Sequence, residues 1–137
     1  MNSTLKNTLT VIIGLIVGGI VNMGIIMVSG SIIPAPNGVD ATTMEGLKET
    51  IHLFEPKHFL FPFLAHAIGT LVGAIIASKF SATKQKSMAL FVGFVFLIGG
   101  SINVYLLPSP IWFNAVDLIG AYIPMALIGW KLTGSKS

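Results

Sequence analysis

The chain has 137 residues, of which 53% are hydrophobic and only 9% charged, with a formal net charge of +3. Soluble domains carry about 25% charged residues, so a chain of mean hydropathy +0.86 would expose large apolar patches in water; lipid is the solvent that suits it. The absence of cysteine excludes disulfides, thiolate metal sites and cysteine nucleophiles, and the absence of arginine removes the fork that clamps phosphate or carboxylate. No basic run interleaves with aromatic residues, which sets nucleic-acid binding aside.

Residues 8–28 hold no charged side chain and predict a first membrane span. Lys6 followed by an apolar run also has the look of a signal peptide. That run is longer than the usual 7–15 residues and no A-x-A site follows it, so an uncleaved span is expected. Residues 29–58 form a long loop. It opens on the turn-rich Pro34-Ala35-Pro36-Asn37-Gly38, and Asp40 to Thr43 offer helix N-caps. Met44, Leu47, Ile51 and Phe54 then recur at helical spacing, which predicts a short amphipathic helix on the outer surface that ends before Pro56.

The second, third and fourth spans are expected at about residues 59–79, 87–107 and 111–131. Apart from Lys79 and Lys131 at their very ends, His66 and Asp117 are the only basic or acidic side chains in them. A short polar turn, Ser81 to Gln85, joins the second to the third. Pro108-Ser109-Pro110 joins the third to the fourth in a tight antiparallel hairpin. Trp112 and Trp130 bracket the fourth span at the spacing of two interfacial aromatic belts. Pro124 removes a helix hydrogen bond and frees the carbonyl of Gly120. The expected fold is an all-α membrane protein: a single domain forming a four-transmembrane-helix bundle in contact with lipid, with a short amphipathic helix in its first loop.

Lysine placement predicts orientation. Lys6, Lys79, Lys84, Lys86, Lys131 and Lys136 fall on one side of this arrangement, and Lys48 and Lys57 on the other. The rule that cytoplasmic loops are lysine-rich places both termini in the cytoplasm. The two halves also look alike. Gly18-Gly19-Ile20-Val21-Asn22 parallels Gly99-Gly100-Ser101-Ile102-Asn103, and His66-Ala67-Ile68-Gly69 parallels Asp117-Leu118-Ile119-Gly120. The bundle would then be two tandem helical hairpins, a parallel repeat of the kind some transporters use. Chance similarity between apolar, glycine-rich spans is the other explanation.

Counting inward from the lysines puts Asn22, His66, Asn103 and Asp117 at a common level, roughly 20–25 Å along their helices at 1.5 Å per residue. An intramembrane carboxylate is costly and marks a functional site by default. Asp117 therefore heads the candidate binding residues. His66 is its expected partner, Asn22 and Asn103 are neighbours, and Tyr122 is a further member five residues along. The same layer could instead hold helices together through interhelical hydrogen bonds.

Gly14 with Gly18, and Ala65, Gly69, Gly73 and Ala77, form small-residue ridges suited to close helix packing or to homo-oligomer formation. Glu45, Glu49 and His52 would share one helical face, and Glu-x-x-His occurs twice in the loop, a spacing used in di-iron sites. Pro56 makes the second pair non-helical and both lie in an exposed loop, so a solvated face is the plainer reading and metal the alternative. No zinc signature, P-loop, dinucleotide fingerprint or nucleophile elbow is present, so no cofactor is expected.

Pro34-x-Pro36-x-Gly38, Ala67-x-Gly69-Thr70-Leu71-x-Gly73 and Pro110-x-Trp112-Phe113 give the chain its outline. In these it resembles small four-span bacterial inner-membrane proteins of uncharacterised families, a resemblance that implies the fold but no activity. Small multidrug transporters are similar in size but carry a carboxylate in the first span, where this chain has only Asn22. Three functions stay open: binding or transport of a small molecule or ion at an outward-facing polar site, an accessory subunit acting through helix contacts, and a membrane enzyme whose only support is His66 and Asp117 as an acid–base pair.

Overall fold

The structure, a computed structural model, describes residues 1–36 and 43–133. Asn37, Gly38, the N-cap candidates Asp40 to Thr42, and Lys136 lie outside the described residues. Four helical stretches are long and apolar enough to cross a membrane: Ser3–Ile32, Pro56–Phe80, Gln85–Leu106 and Ile111–Leu132. The chain thus has the build of a multi-pass membrane protein.

Helix α1 (Ser3–Ile32) is longer than the apolar run that announced it. Asn2 caps it by accepting a hydrogen bond from Leu5 N–H at 2.8 Å. Nothing breaks the helix until Ile33, the residue before Pro34, which is held in an extended conformation. At 30 residues it is about 45 Å long, so it tilts or projects beyond a 30 Å hydrocarbon layer.

In the loop, Thr43 caps α2 (Met44–Thr50) through Gly46 N–H. A 3-10 turn, Ile51–Leu53, continues it. A second such turn, Pro56–Phe59, leads into α3 (Leu60–Phe80), which tolerates Pro62 because it lies in the first turn. The loop does not simply rest on a surface. Ile51, Phe59 and Phe113 are buried together, with Leu47, Phe54, Phe63 and Leu107 packed around them.

Helix α4 (Gln85–Leu106) follows a turn in which Lys84 adopts the left-handed conformation (φ 52°). Asn7 secures this turn: its Oδ1 accepts from Ala82 N–H at 2.8 Å and Thr83 N–H at 3.3 Å, and its Nδ2 donates to Thr83 Oγ1. The fourth span is broken into α5 (Ile111–Gly120) and α6 (Ile123–Leu132). Pro124 sits at the start of α6, and its missing N–H ends the upstream ladder, so the break falls at Ala121 and Tyr122.

Helix α3 is the centre of the bundle and packs against α1, α4 and α6. A Cβ built on Gly14 would lie 2.6 Å from Gly73 O, and one on Gly18 2.5 Å from Gly69 O, so the α1 and α3 backbones touch where only glycine fits. Ala74, Ala89 and Ala126 are fully buried in a second tight contact between α3, α4 and α6. The small-residue ridges are thus used within the chain.

The two halves do not share one packing register. Gly18 is pressed against α3, whereas its counterpart Gly99 faces open space and the next residue, Gly100, is seated against Tyr122. Trp130 is half-buried beside the alanine contact, with Lys86 Nζ 5.0 Å from its ring centroid. Bonds between Asn7 and Thr83 and between Ser78 and Thr133 bring Lys6, Lys79, Lys84, Lys86 and Lys131 to one end of the bundle, here the terminal end. Lys48 and Lys57 lie in the loop at the opposite end. Ile12, Ile16, Ile20, Phe91, Phe94, Ile98 and Ile119 point outward as a surface suited to lipid.

Candidate functional site

His66 and Asp117 meet. His66 lies two turns into α3 and Asp117 two turns into α5, and Nδ1 stands 2.7 Å from Oδ1. Asp117 is only 3% exposed, so this contact replaces hydration that the carboxylate has lost. With the carboxylate ionised, Nδ1–H is the donor and Nε2 is left as an acceptor. A hydrogen bond to a charged group in such surroundings is short and about twice as strong as a neutral one.

Tyr122 completes the unit. Its hydroxyl donates to Asp117 Oδ2 at 3.2 Å, and its ring lies 5.8 Å from the His66 ring, stacked at 24°. Residues five apart on a regular helix do not share a face. The break between α5 and α6 turns the ring back toward Asp117, and Gly100 makes room for it, because a Cβ there would overlap the phenol.

The triad lies beside a cavity of about 500 Å³ at the loop end. Asn22, His66, Asn103 and Asp117 all line it, so one residue from each span does reach a common space. They are not one hydrogen-bonded network. Asn22 Oδ1 is buried with no partner among the described residues, and Asn103 is exposed along the cavity edge with no bond to Asp117. Tyr122 does not line the cavity; it supports Asp117 from behind. Thr70, one turn below His66, is 1% exposed and its hydroxyl also lacks a partner among the described residues.

Most of the cavity wall is apolar, contributed by α1, α4 and the loop helix through Ile26, Val104, Leu107, Met44, Leu47 and Phe54. Ser109 and Asn114 add a polar rim and are bonded to each other, Oγ to Oδ1 at 2.6 Å. The α2 segment forms the roof. Toward the terminal end the space closes on Gly73, Val92, Phe96 and the alanine contact.

The loop residues weighed as metal ligands do not assemble. Glu45, Glu49 and His52 are exposed, and among the described residues no three His, Asp or Glu side chains converge. The second Glu-x-x-His spacing is a capping turn: His58 Nδ1 accepts from Glu55 N–H at 2.8 Å, and His58 N–H donates to the Glu55 carbonyl at 2.9 Å. Lys57 stands 3.4 Å from Glu55 with both side chains largely exposed, a pair worth little in water.

Sequence reasoning missed Asn7, Thr70, Gly100 and the Ser109–Asn114 pair. A lone Asn before an apolar run was the only signal for the first; the others need the packing to be known. Comparison with family models, curated proteins and solved structures returns no match to this chain.

Proposed function

We propose that this is a multi-pass protein of the inner (plasma) membrane, with both termini in the cytoplasm, that binds a small molecule in a cavity opening toward the outside. Lysine asymmetry supports the orientation, six against two. The observation that carries the binding reading is the buried His66–Asp117 couple at the side of a largely apolar cavity of about 500 Å³. A mostly apolar pocket of 300–1,000 Å³ with a few convergent polar groups is the common form of a small-molecule site. A polar layer serving only to hold helices would not need a cavity beside it, nor a roof.

His66 is the group that meets the ligand, and Asp117, deeper and almost fully covered, fixes its tautomer and orientation. The closed terminal half makes this a one-sided site; transport would require that half to open.

A thermal-shift screen of small amphiphiles over the detergent-solubilised protein tests the reading. A compound at a hundred times its Kd stabilises the wild type by about 2.7 kcal/mol, which raises Tm by roughly 5 °C or more in a chain of this size. Asp117→Asn and His66→Ala should unfold cooperatively yet lose most of that shift. If Asp117→Asn responds to the same compounds by the same amount, the site is not a binding site and the accessory-subunit reading takes its place.

A further inference from the structure

Where α1 and α4 part sets how the cavity is reached. In the terminal half they meet: Leu15 and Phe96 pack in one cluster, and the Phe96 ring closes on Gly18. Beyond that level the two helices form opposite walls, Met23, Ile26 and Gly30 on α1 against Asn103, Val104 and Leu107 on α4. These walls continue into the outward apolar surface. Met23 lines the cavity and is 55% exposed, and its neighbours Ile20 and Met27 are 65% and 66% exposed. A Cβ built on Gly30 meets nothing within 4 Å. The seam between α1 and α4 therefore opens the apolar part of the cavity sideways, toward the faces suited to lipid.

The polar groups restrict what can enter. His66 Nδ1 is committed to Asp117; with the carboxylate ionised and the imidazole neutral, Nε2 is left as an acceptor, whereas Asn22 Oδ1 is sealed from the cavity. His66 calls for a donor. Among the described residues no lysine lines the cavity, and the one carboxylate there is Asp117. A phosphate head would therefore meet the Asp117 carboxylate with no lysine to offset it, and His58 on the same lining has its Nδ1 occupied by Glu55 N–H.

Building on the binding reading above, we infer that the ligand is a membrane-borne amphiphile with a neutral hydroxyl head, which enters laterally between α1 and α4. A head hydroxyl donates to His66 Nε2. The hydrocarbon tail lies in the seam, where it exchanges one apolar surrounding for another while the head gains the hydrogen bond.

The chain has no cysteine, so a single Val104→Cys substitution is a clean reporter of the cavity wall. The full-length variant is placed in phosphatidylcholine nanodiscs and its modification by a water-soluble methanethiosulfonate is timed. 1-Monooleoylglycerol should slow modification about tenfold as occupancy approaches 90%. Oleoyl lysophosphatidic acid, with the same tail and a phosphate head, should not slow it. Monobutyroylglycerol, with the same head and almost no tail, should not slow it at the same concentration. His66→Ala should abolish protection through the head, and Gly30→Trp should abolish it by filling the seam; a cooperative thermal unfolding transition shows that each variant is folded, and protection is read relative to each variant's own rate without added lipid.

Equal protection by the phosphate-headed lipid overturns the head assignment, and protection that survives Gly30→Trp overturns the lateral route. Protection by monobutyroylglycerol alone overturns the membrane-borne ligand while leaving a water-side binding site in place. No protection by any of the three overturns the inference, and the thermal-shift response of Asp117→Asn then decides the binding reading separately.

Discussion

The half of the bundle that carries the chain termini and the half that carries the loop are built from the same helices but from different residues. In the terminal half, glycine and alanine let backbones touch: Gly14 and Gly18 on α1 meet Gly73 and Gly69 on α3, and Ala74, Ala89 and Ala126 close α3, α4 and α6 together. In the loop half, Phe59, Phe63 and Phe113 pack with the loop, and beside this cluster lies a partly polar space roofed by α2. Without a hydrophobic force between helices in lipid, close backbone contact is the main means of holding a bundle together. The closed half thus supplies the stability that lets the other half keep a cavity and a buried carboxylate.

Filling the closed half should have the largest effect. Gly73→Val places atoms against Gly14 O, which belongs to backbone and cannot turn aside. The expected cost is about 3 kcal/mol, the upper part of the overpacking range, read as loss of cooperative unfolding or a large fall in Tm. Gly100→Ala comes next. The added methyl overlaps the Tyr122 ring and pushes its hydroxyl off Asp117, at about 2 kcal/mol in the same assay. Gly99→Ala is its control. It meets nothing and should raise stability by up to about 1 kcal/mol through helix propensity alone. Equal effects at the two positions would break the assigned packing of α4.

Asn7→Ala should cost about 1 kcal/mol, because two backbone donors of the α3–α4 turn lose their acceptor. The effect should appear as faster amide exchange at Ala82 and Thr83 and leave the loop-half cavity unchanged. Smallest is Lys84→Gly. It relieves a left-handed conformation that costs a non-glycine residue about 1–2 kcal/mol. Part of that gain is returned as glycine's greater backbone entropy in the unfolded chain, leaving roughly 0.5 kcal/mol of stabilisation by thermal melt.

Axial information was legible in the sequence and azimuthal information was not. Counting from the lysines put His66 and Asp117 at one level on different helices, and they stand in contact. The same count put Asn22 and Asn103 at that level, yet neither bonds to Asp117, because depth says nothing about which way a side chain turns. Tyr122 was the further member expected five residues along, a spacing that on a regular helix would turn it off the face of Asp117. Pro124 signalled a defect, but only the packed structure shows that the defect rotates Tyr122 onto Asp117. Span ends also ran past the apolar stretches. Lys6 and Ser29 lie inside α1, because hydropathy marks the lipid-suited centre of a helix while caps and prolines mark its ends. The resemblance of Gly18 to Gly99 was visible and misleading as to packing, since the seated glycine of α4 is Gly100.

The contrast between an open loop half and a shut terminal half is tested most directly by paired single cysteines in a chain that has none of its own. Val104→Cys reports the cavity wall and Ala126→Cys the alanine contact, which is fully buried. A water-soluble thiol reagent applied from the loop side should modify the first at least about a hundredfold faster than the second, the population ratio of a local opening costing about 2.7 kcal/mol. Similar rates at the two positions would contradict the account.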